Sequence, residues 1–230
     1  MRLLVSVRSV DEALLAARGG AGFIDLKEPR NGALGALPPA VRLAVCEALK
    51  AEGCTLPISA TIGDLPLSDL PAVLAQVLAV AASGIDYVKV GIEAGPNAEQ
   101  ALQMLAATQA AVVPVLIADH GIDEDLVRLA CKLPFPALML DTADKRSGSL
   151  FERVSVDALR RFVQTVQSAG LLAGLAGAIR WPQLPQLLEL APDFAGFRSA
   201  VCEGDRGGAL SPALLQALSQ TLRGQQVVGC

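Results

Sequence analysis

The sequence predicts a single (β/α)8 barrel, a TIM barrel, that occupies residues 1–230. Three observations support this fold class. Short apolar or β-branched runs alternate with longer segments of helical periodicity, which is typical of βαβ units and a parallel sheet. Eight such units fit a compact barrel of this length. The Gly-x-Gly-x-x-Gly turn that an open dinucleotide-binding sheet carries after its first strand is missing, which argues against that alternative.

The predicted elements are eight short strands, each followed by a helix. The strands cover residues 3–7, 23–27, 57–62, 86–91, 112–118, 137–142, 171–176 and 194–199. The helices lie near residues 10–19, 39–52, 70–83, 97–110, 123–132, 155–169, 181–190 and 212–223. Ser9 and Ser68 mark the starts of the first and third helices, and Ser211-Pro212 marks the start of the last.

Composition and charge exclude several classes of protein. Apolar residues make up 52% of the chain, yet no run approaches the roughly 18 apolar residues of a membrane span. The run Leu3–Val7 is too short for a signal peptide. A net charge of −4 without a basic cluster argues against nucleic-acid binding. The five cysteines are scattered, without a CxxC pair. We therefore expect reduced thiols in a soluble, cytoplasmic protein, and we also expect a homo-oligomer.

Strand parity separates the polar residues from the aliphatic ones. Successive side chains of a strand point to opposite faces. In the second strand, for example, Ile24 and Leu26 share one face, and the charged residues share the other. If the aliphatic set faces the helices, the inward side chains are Asp25, Lys27, Ser59, Thr61, Lys89 and Asp141. Buried charges need partners, so this cluster is either an ion-pair network or a functional site. Charged residues at the C-terminal mouth of a barrel are typical of catalysis.

Lysine usage supports the second interpretation. Only five of the 19 basic residues are lysines, and Lys27, Lys89 and Lys145 lie at or just beyond strand ends. A lysine beside another cation has a lowered pKa and can attack a carbonyl to form a Schiff base, which arginine cannot do. Asp25 and Asp141 could hold these lysines and move protons. The alternative is a purely structural set of salt bridges.

Glycine-rich loops and one arginine indicate where an anion could bind. The loops after the seventh and eighth strands are the usual phosphate site of this fold. The candidates there are Gly177, Arg198, Ser199, Gly204, Asp205 and Arg206, and Gly32 belongs to a second glycine-rich loop after Lys27. His120, the only histidine, is a possible acid or base at the end of the fifth strand. A single histidine predicts no metal site.

Five motifs taken together resemble the (5-formylfuran-3-yl)methyl phosphate synthase family. They are Leu3-Leu4-Val5-Ser6, Asp25-Leu26-Lys27-Glu28-Pro29 with Gly32-Ala33-Leu34-Gly35, Ser59-Ala60-Thr61-Ile62-Gly63-Asp64, Tyr87-Val88-Lys89-Val90-Gly91 and Met139-Leu140-Asp141-Thr142-Ala143. The similarity runs from the first strand to Arg206. The chain departs from the family pattern at Ala178, where a serine is expected, and at Asp119-His120.

The resemblance implies a carbon–oxygen lyase that condenses two molecules of glyceraldehyde 3-phosphate, without a metal or organic cofactor, to the furan precursor of methanofuran. The family's catalytic residues correspond to Lys27, Asp25, Lys89, Asp141 and Lys145. Ser6, Ser59 and Thr61 are further candidate contacts of the substrate. On this hypothesis Lys27 forms the Schiff base, and the resulting enamine attacks the second aldehyde.

Two other functions remain possible at this stage. One is a different class I aldolase or isomerase that acts on a small sugar phosphate with the same lysines. The other is a catalytically silent barrel that binds a sugar phosphate. Identifying the product separates all three, because only the synthase forms a furan and releases phosphate.

Overall fold

The computed structural model describes residues 1–144 and 148–224, and within them the predicted barrel is confirmed. Eight parallel strands close in sequence order, so that β1 also pairs with β8. The strands are β1 Arg2–Val7, β2 Phe23–Leu26, β3 Ile58–Thr61, β4 Tyr87–Ile92, β5 Val112–Ile117, β6 Ala137–Asp141, β7 Leu172–Leu175 and β8 Phe194–Phe197. Each agrees with its predicted span to within a residue or two.

Nine α-helices surround the barrel in the described part of the chain. They are α1 Val10–Arg18, α2 Pro39–Ala51, α3 Leu70–Ala81, α4 Ala98–Ala106, α5 Glu124–Ala130, α6 Leu150–Arg153, α7 Val156–Ser168, α8 Leu184–Leu190 and α9 Pro212–Gly224. None of the helices among the described residues is long and apolar enough to cross a membrane.

Two local predictions about these elements were wrong, and one helix was not predicted. The N-cap of α3 is Asp69, whose carboxylate accepts from the Ala72 N–H, and not Ser68. The short helix α6 was not predicted; it forms because Leu150 is fully buried and Glu152 accepts from the Ser149 N–H. Ser199 begins a 3-10 turn after β8 instead of ending the strand.

Two apolar layers hold the barrel. The outer layer joins the helices to the outward side chains of the strands, such as Val88 and Val90. The inner layer fills the barrel with Leu4, Phe23, Leu34, Val113, Val115, Ala137, Met139, Ala176 and Phe194. Of these, Leu34 comes from the loop after β2, so this loop packs into the top of the barrel. Burial of this kind stabilises by about 25 cal/mol per Å² of apolar surface.

Strand register brings the inward polar residues level with one another. Ser6 of β1 pairs with Asp25 of β2, and Asp25 pairs with Ser59 of β3. On the next strands Thr61 pairs with Lys89. Their side chains therefore form a polar layer above the apolar filling, at the C-terminal end of the strands, as strand parity predicts.

Candidate active site

Asp25 is the centre of the polar layer. Its side chain is fully buried. One carboxylate oxygen accepts from the Ser6 hydroxyl at 2.9 Å, and the other accepts from the Ser59 hydroxyl at 2.7 Å. The second oxygen also accepts from the Lys89 ammonium at 3.0 Å. Three donors, from β1, β3 and β4, thus hold one carboxylate.

These contacts keep Asp25 ionised. Burial alone would raise its pKa, because the apolar surroundings disfavour the charged form. The ammonium groups of Lys89 and Lys27 oppose this effect, and the Ser59 hydroxyl adds a hydrogen bond. The pKa of Asp25 is lowered as a result. Asp25 is therefore suited to anchor Lys89 and poorly suited to donate a proton at neutral pH.

Lys27 and Asp141 form a second buried pair beside the first. Lys27 follows β2, and its Nζ lies 3.5 Å from Oδ2 of Asp141, the last residue of β6. The other oxygen of Asp141 accepts from the Thr142 N–H at 2.8 Å, which fixes the carboxylate. The Lys27–Asp141 separation is longer than the 3.0 Å between Lys89 and Asp25. The side chain of Lys27 is also the more exposed of the two lysines, at 9% against 3%.

A small cavity brings most of the predicted site residues together. The predicted residues that line it are Ser6, Asp25, Lys27, Lys89, Asp141, Gly177, Arg198, Ser199 and Arg206. Its volume is about 40 Å³. A larger space of about 620 Å³ lies beside it, over the ends of β3 and β4, and Leu34 belongs to its wall.

The remaining predicted residues lie outside this lining. Ser59 and Thr61 are buried, and the Thr61 hydroxyl donates to the Gly35 carbonyl at 2.9 Å. Gly32 shapes the loop after β2: its φ is +108°, and a Cβ there would lie 1.8 Å from a carboxylate oxygen of Asp64. Gly204 and Asp205 are exposed in the loop after β8.

Two further predicted residues, His120 and Lys145, follow β5 and β6. His120 is exposed and lines neither of these two cavities. Its neighbour Asp119 accepts from the Ala143 and Asp144 N–H groups and so holds the start of the loop after β6. The predicted Lys145 lies outside the described residues. Within those residues, no group of three or more His, Cys, Asp or Glu could hold a metal ion.

Arg198 occupies an unexpected position for a predicted anion ligand. All five of its N–H donors point to protein oxygens. Two bind the Glu12 carboxylate at 2.5 and 3.1 Å, and the others bind the carbonyls of Ser6, Arg206 and Gly208 at 3.0, 2.9 and 2.7 Å. The sequence reasoning missed Glu12. Its available signal was the capping pattern Ser9-x-x-Glu12, which is usually assigned to helix initiation alone.

Arg206 extends towards the two buried pairs from the loop after β8. Its guanidinium donates to the Gly32 carbonyl at 3.1 Å and so joins the loops after β2 and β8. Burial lowers the pKa of Arg206, although the nearby carboxylate of Asp141 opposes this effect. An arginine remains charged despite such a shift.

A closed (β/α)8 barrel with two buried lysine–aspartate pairs at its C-terminal mouth defines a barrel enzyme. The family model described as 4-HFC-P synthase matches residues 3–219. The chain therefore belongs to the 4-HFC-P synthase family, an enzyme family whose lyase chemistry agrees with the sequence prediction.

Curated relatives support this assignment over almost the whole chain. The (5-formylfuran-3-yl)methyl phosphate synthase of Archaeoglobus fulgidus is 38% identical over 238 residues, covering 97% of this chain and 100% of the relative. The protein of the same name from Methanopyrus kandleri is 37% identical, with 96% and 98% coverage.

Solved structures agree on the fold. Phosphoribosyl anthranilate isomerase from Thermus thermophilus superposes with a TM-score of 0.66 at 20% identity, covering 98% of this chain and all of the other. The corresponding enzyme from Thermococcus kodakaraensis gives 0.66 at 17% identity, with 96% and 98% coverage. At such identities the likeness shows the barrel architecture and nothing about the reaction.

Proposed function

We propose that this protein condenses two molecules of glyceraldehyde 3-phosphate to (5-formylfuran-3-yl)methyl phosphate, in methanofuran biosynthesis, with release of one phosphate and two water molecules. The observation that supports this most directly is the pair of buried lysines, each matched to its own aspartate in one cavity. The names of the relatives supply the product, and the lysines supply a route to it.

The two lysines differ in burial and in the length of their ion pairs, which supports different roles for them. Lys89 is bound to Asp25, which is itself fixed by Ser6 and Ser59. Movement of Lys89 would therefore also disturb the environment of Asp25. Lys27 is paired at a longer distance and is more exposed to the cavity. Lys27 is therefore the proposed nucleophile. Lys89 acts as a fixed cation that stabilises negative charge on the reacting oxygen.

The chemistry begins with neutral Lys27, which attacks the aldehyde carbon of the first triose phosphate. The carbinolamine loses water to give an imine, and removal of the C2 proton gives an enamine. Asp141 is the proposed base because one of its oxygens faces Lys27 while a backbone N–H holds the other. The enamine expels the C3 phosphate, and C3 of the resulting enol attacks the carbonyl of the second triose phosphate after that substrate has isomerised to its ketone. Ring closure with loss of two water molecules gives the furan, and hydrolysis of the imine restores Lys27 and leaves the formyl group.

Binding both substrates needs room beyond the small cavity, either in the larger space of about 620 Å³ over the ends of β3 and β4 or after the mouth opens. A cavity of about 40 Å³ cannot hold two triose phosphates. The Arg206–Gly32 hydrogen bond joins two of the loops over this cavity. We propose that Arg206, Ser199 and the Gly177 N–H bind the substrate phosphate once these loops separate, since cationic and N–H donors suit a small phosphorylated ligand. The predicted Lys145 would add a further cation.

Incubation of the purified protein with glyceraldehyde 3-phosphate tests the proposal. The expected result is a furan chromophore together with free phosphate, with the product identified by mass spectrometry. A sugar phosphate without the furan would support the aldolase or isomerase alternative instead. Unchanged substrate, in the presence of measurable binding, would support a silent binding protein.

A further inference from the structure

We propose that Glu12 is a positioning residue for substrate phosphate: through Arg198 it holds the loop of residues 203–208 so that Arg206 faces the lysine–aspartate site. This inference rests on the proposed function in one respect, since it takes Arg206 as a ligand of the substrate phosphate. Glu12 and Arg206 lie at opposite ends of the chain. Arg198 connects them.

The contact between Glu12 and Arg198 is bidentate and largely buried. Arg198 Nη1 lies 2.5 Å from one oxygen of Glu12, and Nη2 lies 3.1 Å from the other. The two side chains are 10% and 8% exposed. Paired N–H donors on a carboxylate fix the orientation of both planes. The guanidinium of Arg198 therefore has one defined direction.

Glu12 does more than cap its helix. It lies in the first turn of α1, where its carboxylate accepts from the Arg8 N–H at 3.0 Å and so closes the helix start. Capping of this kind needs only one acceptor. The bidentate bond to a residue 186 positions away has no role in starting α1. It instead joins the first turn of α1 to the loop after β8.

Arg198 in turn fixes the loop that carries Arg206. With two donors on Glu12, its Nε binds the Arg206 carbonyl at 2.9 Å, and Nη2 also binds the Gly208 carbonyl at 2.7 Å. The loop is closed internally by the Gly208 N–H, which donates to the Asp205 carbonyl at 3.0 Å. Arg198 thus binds two points of a compact loop and sets the backbone of Arg206.

The donors of Arg198 also determine which arginine can bind an anion. Because its five N–H groups are all bound to protein oxygens, Arg198 cannot bind a phosphate without breaking part of this network. Arg206 uses Nη2 to bind the Gly32 carbonyl. A phosphate oxygen can replace that single carbonyl when the loops separate. The geometry therefore makes Arg206 the ligand and Arg198 its support.

The test is a cycle of variants in which the affinity for inorganic phosphate is measured by titration calorimetry. Arg206→Ala is expected to weaken phosphate binding by about 10-fold to 100-fold, as expected for a lost charge-assisted hydrogen bond. Glu12→Gln is expected to weaken it by about 10-fold, because the amide cannot keep both Arg198 contacts as a carboxylate does. In the Arg206→Ala background, adding Glu12→Gln should change the affinity by less than about 2-fold, since residues that act through one group are not additive.

Three further measurements keep the result interpretable. The control is Glu52→Gln, which breaks a surface ion pair with Arg18. Arg18 lies in α1, as Glu12 does, but this variant should leave phosphate affinity unchanged. If Glu12→Gln does not fold, Glu12→Asp keeps the charge, shortens the side chain and takes its place in the cycle. With triose phosphate as substrate, Glu12→Gln should raise KM by about 10-fold and change kcat much less.

Two results would overturn the inference. One is an equal loss of phosphate affinity from Glu12→Gln in both backgrounds, which would make Glu12 a general structural residue. The other is phosphate binding that does not depend on Arg206. Because the titrations need no turnover, they separate this inference from the proposed function: absence of the furan product with an intact Glu12–Arg206 coupling would overturn only the latter.

Discussion

Lys89 and Asp25 form an ion pair across the mouth of the barrel, with 3.0 Å between Nζ and Oδ1 and both side chains almost completely buried. Ser6 and Ser59 complete the environment of the carboxylate. A buried charge left without its partner is strongly destabilising, whereas the intact pair is close to neutral for stability. This relationship predicts that Asp25 is primarily a structural group of the candidate active site.

Replacing Asp25 should therefore make the folded protein less stable. Asp25→Asn leaves Lys89 with an uncharged partner, and we expect the free energy of unfolding to fall by about 3–5 kcal/mol. Urea denaturation monitored by circular dichroism measures it. The matched control is Glu52→Gln, which breaks an exposed pair and should change stability by no more than about 1 kcal/mol. Equal losses in the two variants would contradict the assignment.

The stability of the protein should depend on pH through the ionisation of Asp25. The pKa of Asp25 in the folded protein is lowered below its ordinary value of about 3.8, so Asp25 binds protons more readily in the unfolded chain. Its contribution to stability is present above about pH 3.8 and is lost as the pH falls through the folded-state pKa. The stability difference between the parent protein and Asp25→Asn should therefore shrink on acidification below that pH. Urea midpoints measured from pH 7 downwards test this, and a constant difference would argue against it.

Much of this arrangement could be predicted from the sequence. Alternation along β2, β3, β4 and β6 identified the inward polar residues, because each strand buries both faces but only one of them is aliphatic. The same reasoning located the lysines at the mouth, since parallel strands place their carboxyl ends at one edge. These predictions depend only on local periodicity and chain direction.

The pairing of the charges could not be predicted in this way. Parity places Lys27, Lys89, Asp25 and Asp141 in one layer but does not decide which ammonium meets which carboxylate. That depends on barrel closure, which brings Lys27 to Asp141 of β6 and Lys89 to Asp25 of β2. The role of Arg198 was hidden for the same reason, because its partner Glu12 lies near the other end of the chain.

Lys27 should be essential for turnover. Lys27→Arg keeps the charge, but a guanidinium cannot form a productive Schiff base at neutral pH, so activity should be abolished. The control is Lys132→Arg, which makes the same change at an exposed position and should leave the rate unchanged. Borohydride added with substrate should trap an adduct on Lys27, mapped by peptide mass spectrometry. An adduct on Lys89 or Lys145 would transfer the nucleophile role to that residue.

Chelation should leave the reaction rate unchanged. In the part of the chain that the structure describes, His, Cys, Asp and Glu do not gather in groups of three that could hold a metal ion. On the proposed mechanism the lysines supply the positive charge that stabilises the reacting oxygen. Assays with and without EDTA measure this. A loss of activity that Zn²⁺ or Mg²⁺ restores would show that a metal takes part.

Replacing Asp141 should mainly lower turnover, whereas replacing Asp25 should mainly lower stability, because the position of Asp141 suits proton transfer. Asp141→Asn preserves the shape and the hydrogen bond from the Thr142 N–H but removes the basic oxygen that faces Lys27. Turnover should fall by about 10²-fold to 10⁴-fold. Stability should change little, because a lysine at the edge of the cavity can partly neutralise by losing its proton.

The comparison of both quantities on both aspartates decides between catalysis and structure. If Asp141 were chiefly the counter-ion of Lys27, Asp141→Asn would lose about 3–5 kcal/mol of stability, as expected for Asp25→Asn. Its folded fraction would then turn over at a near-normal rate, and the proton-transfer role would be refuted. We expect the reverse, because the Lys27–Asp141 pair is the longer and more exposed of the two. On the proposed mechanism the Lys27–Asp141 pair separates during each catalytic cycle, so we expect the Lys89–Asp25 pair to be the fixed anchor of the barrel mouth.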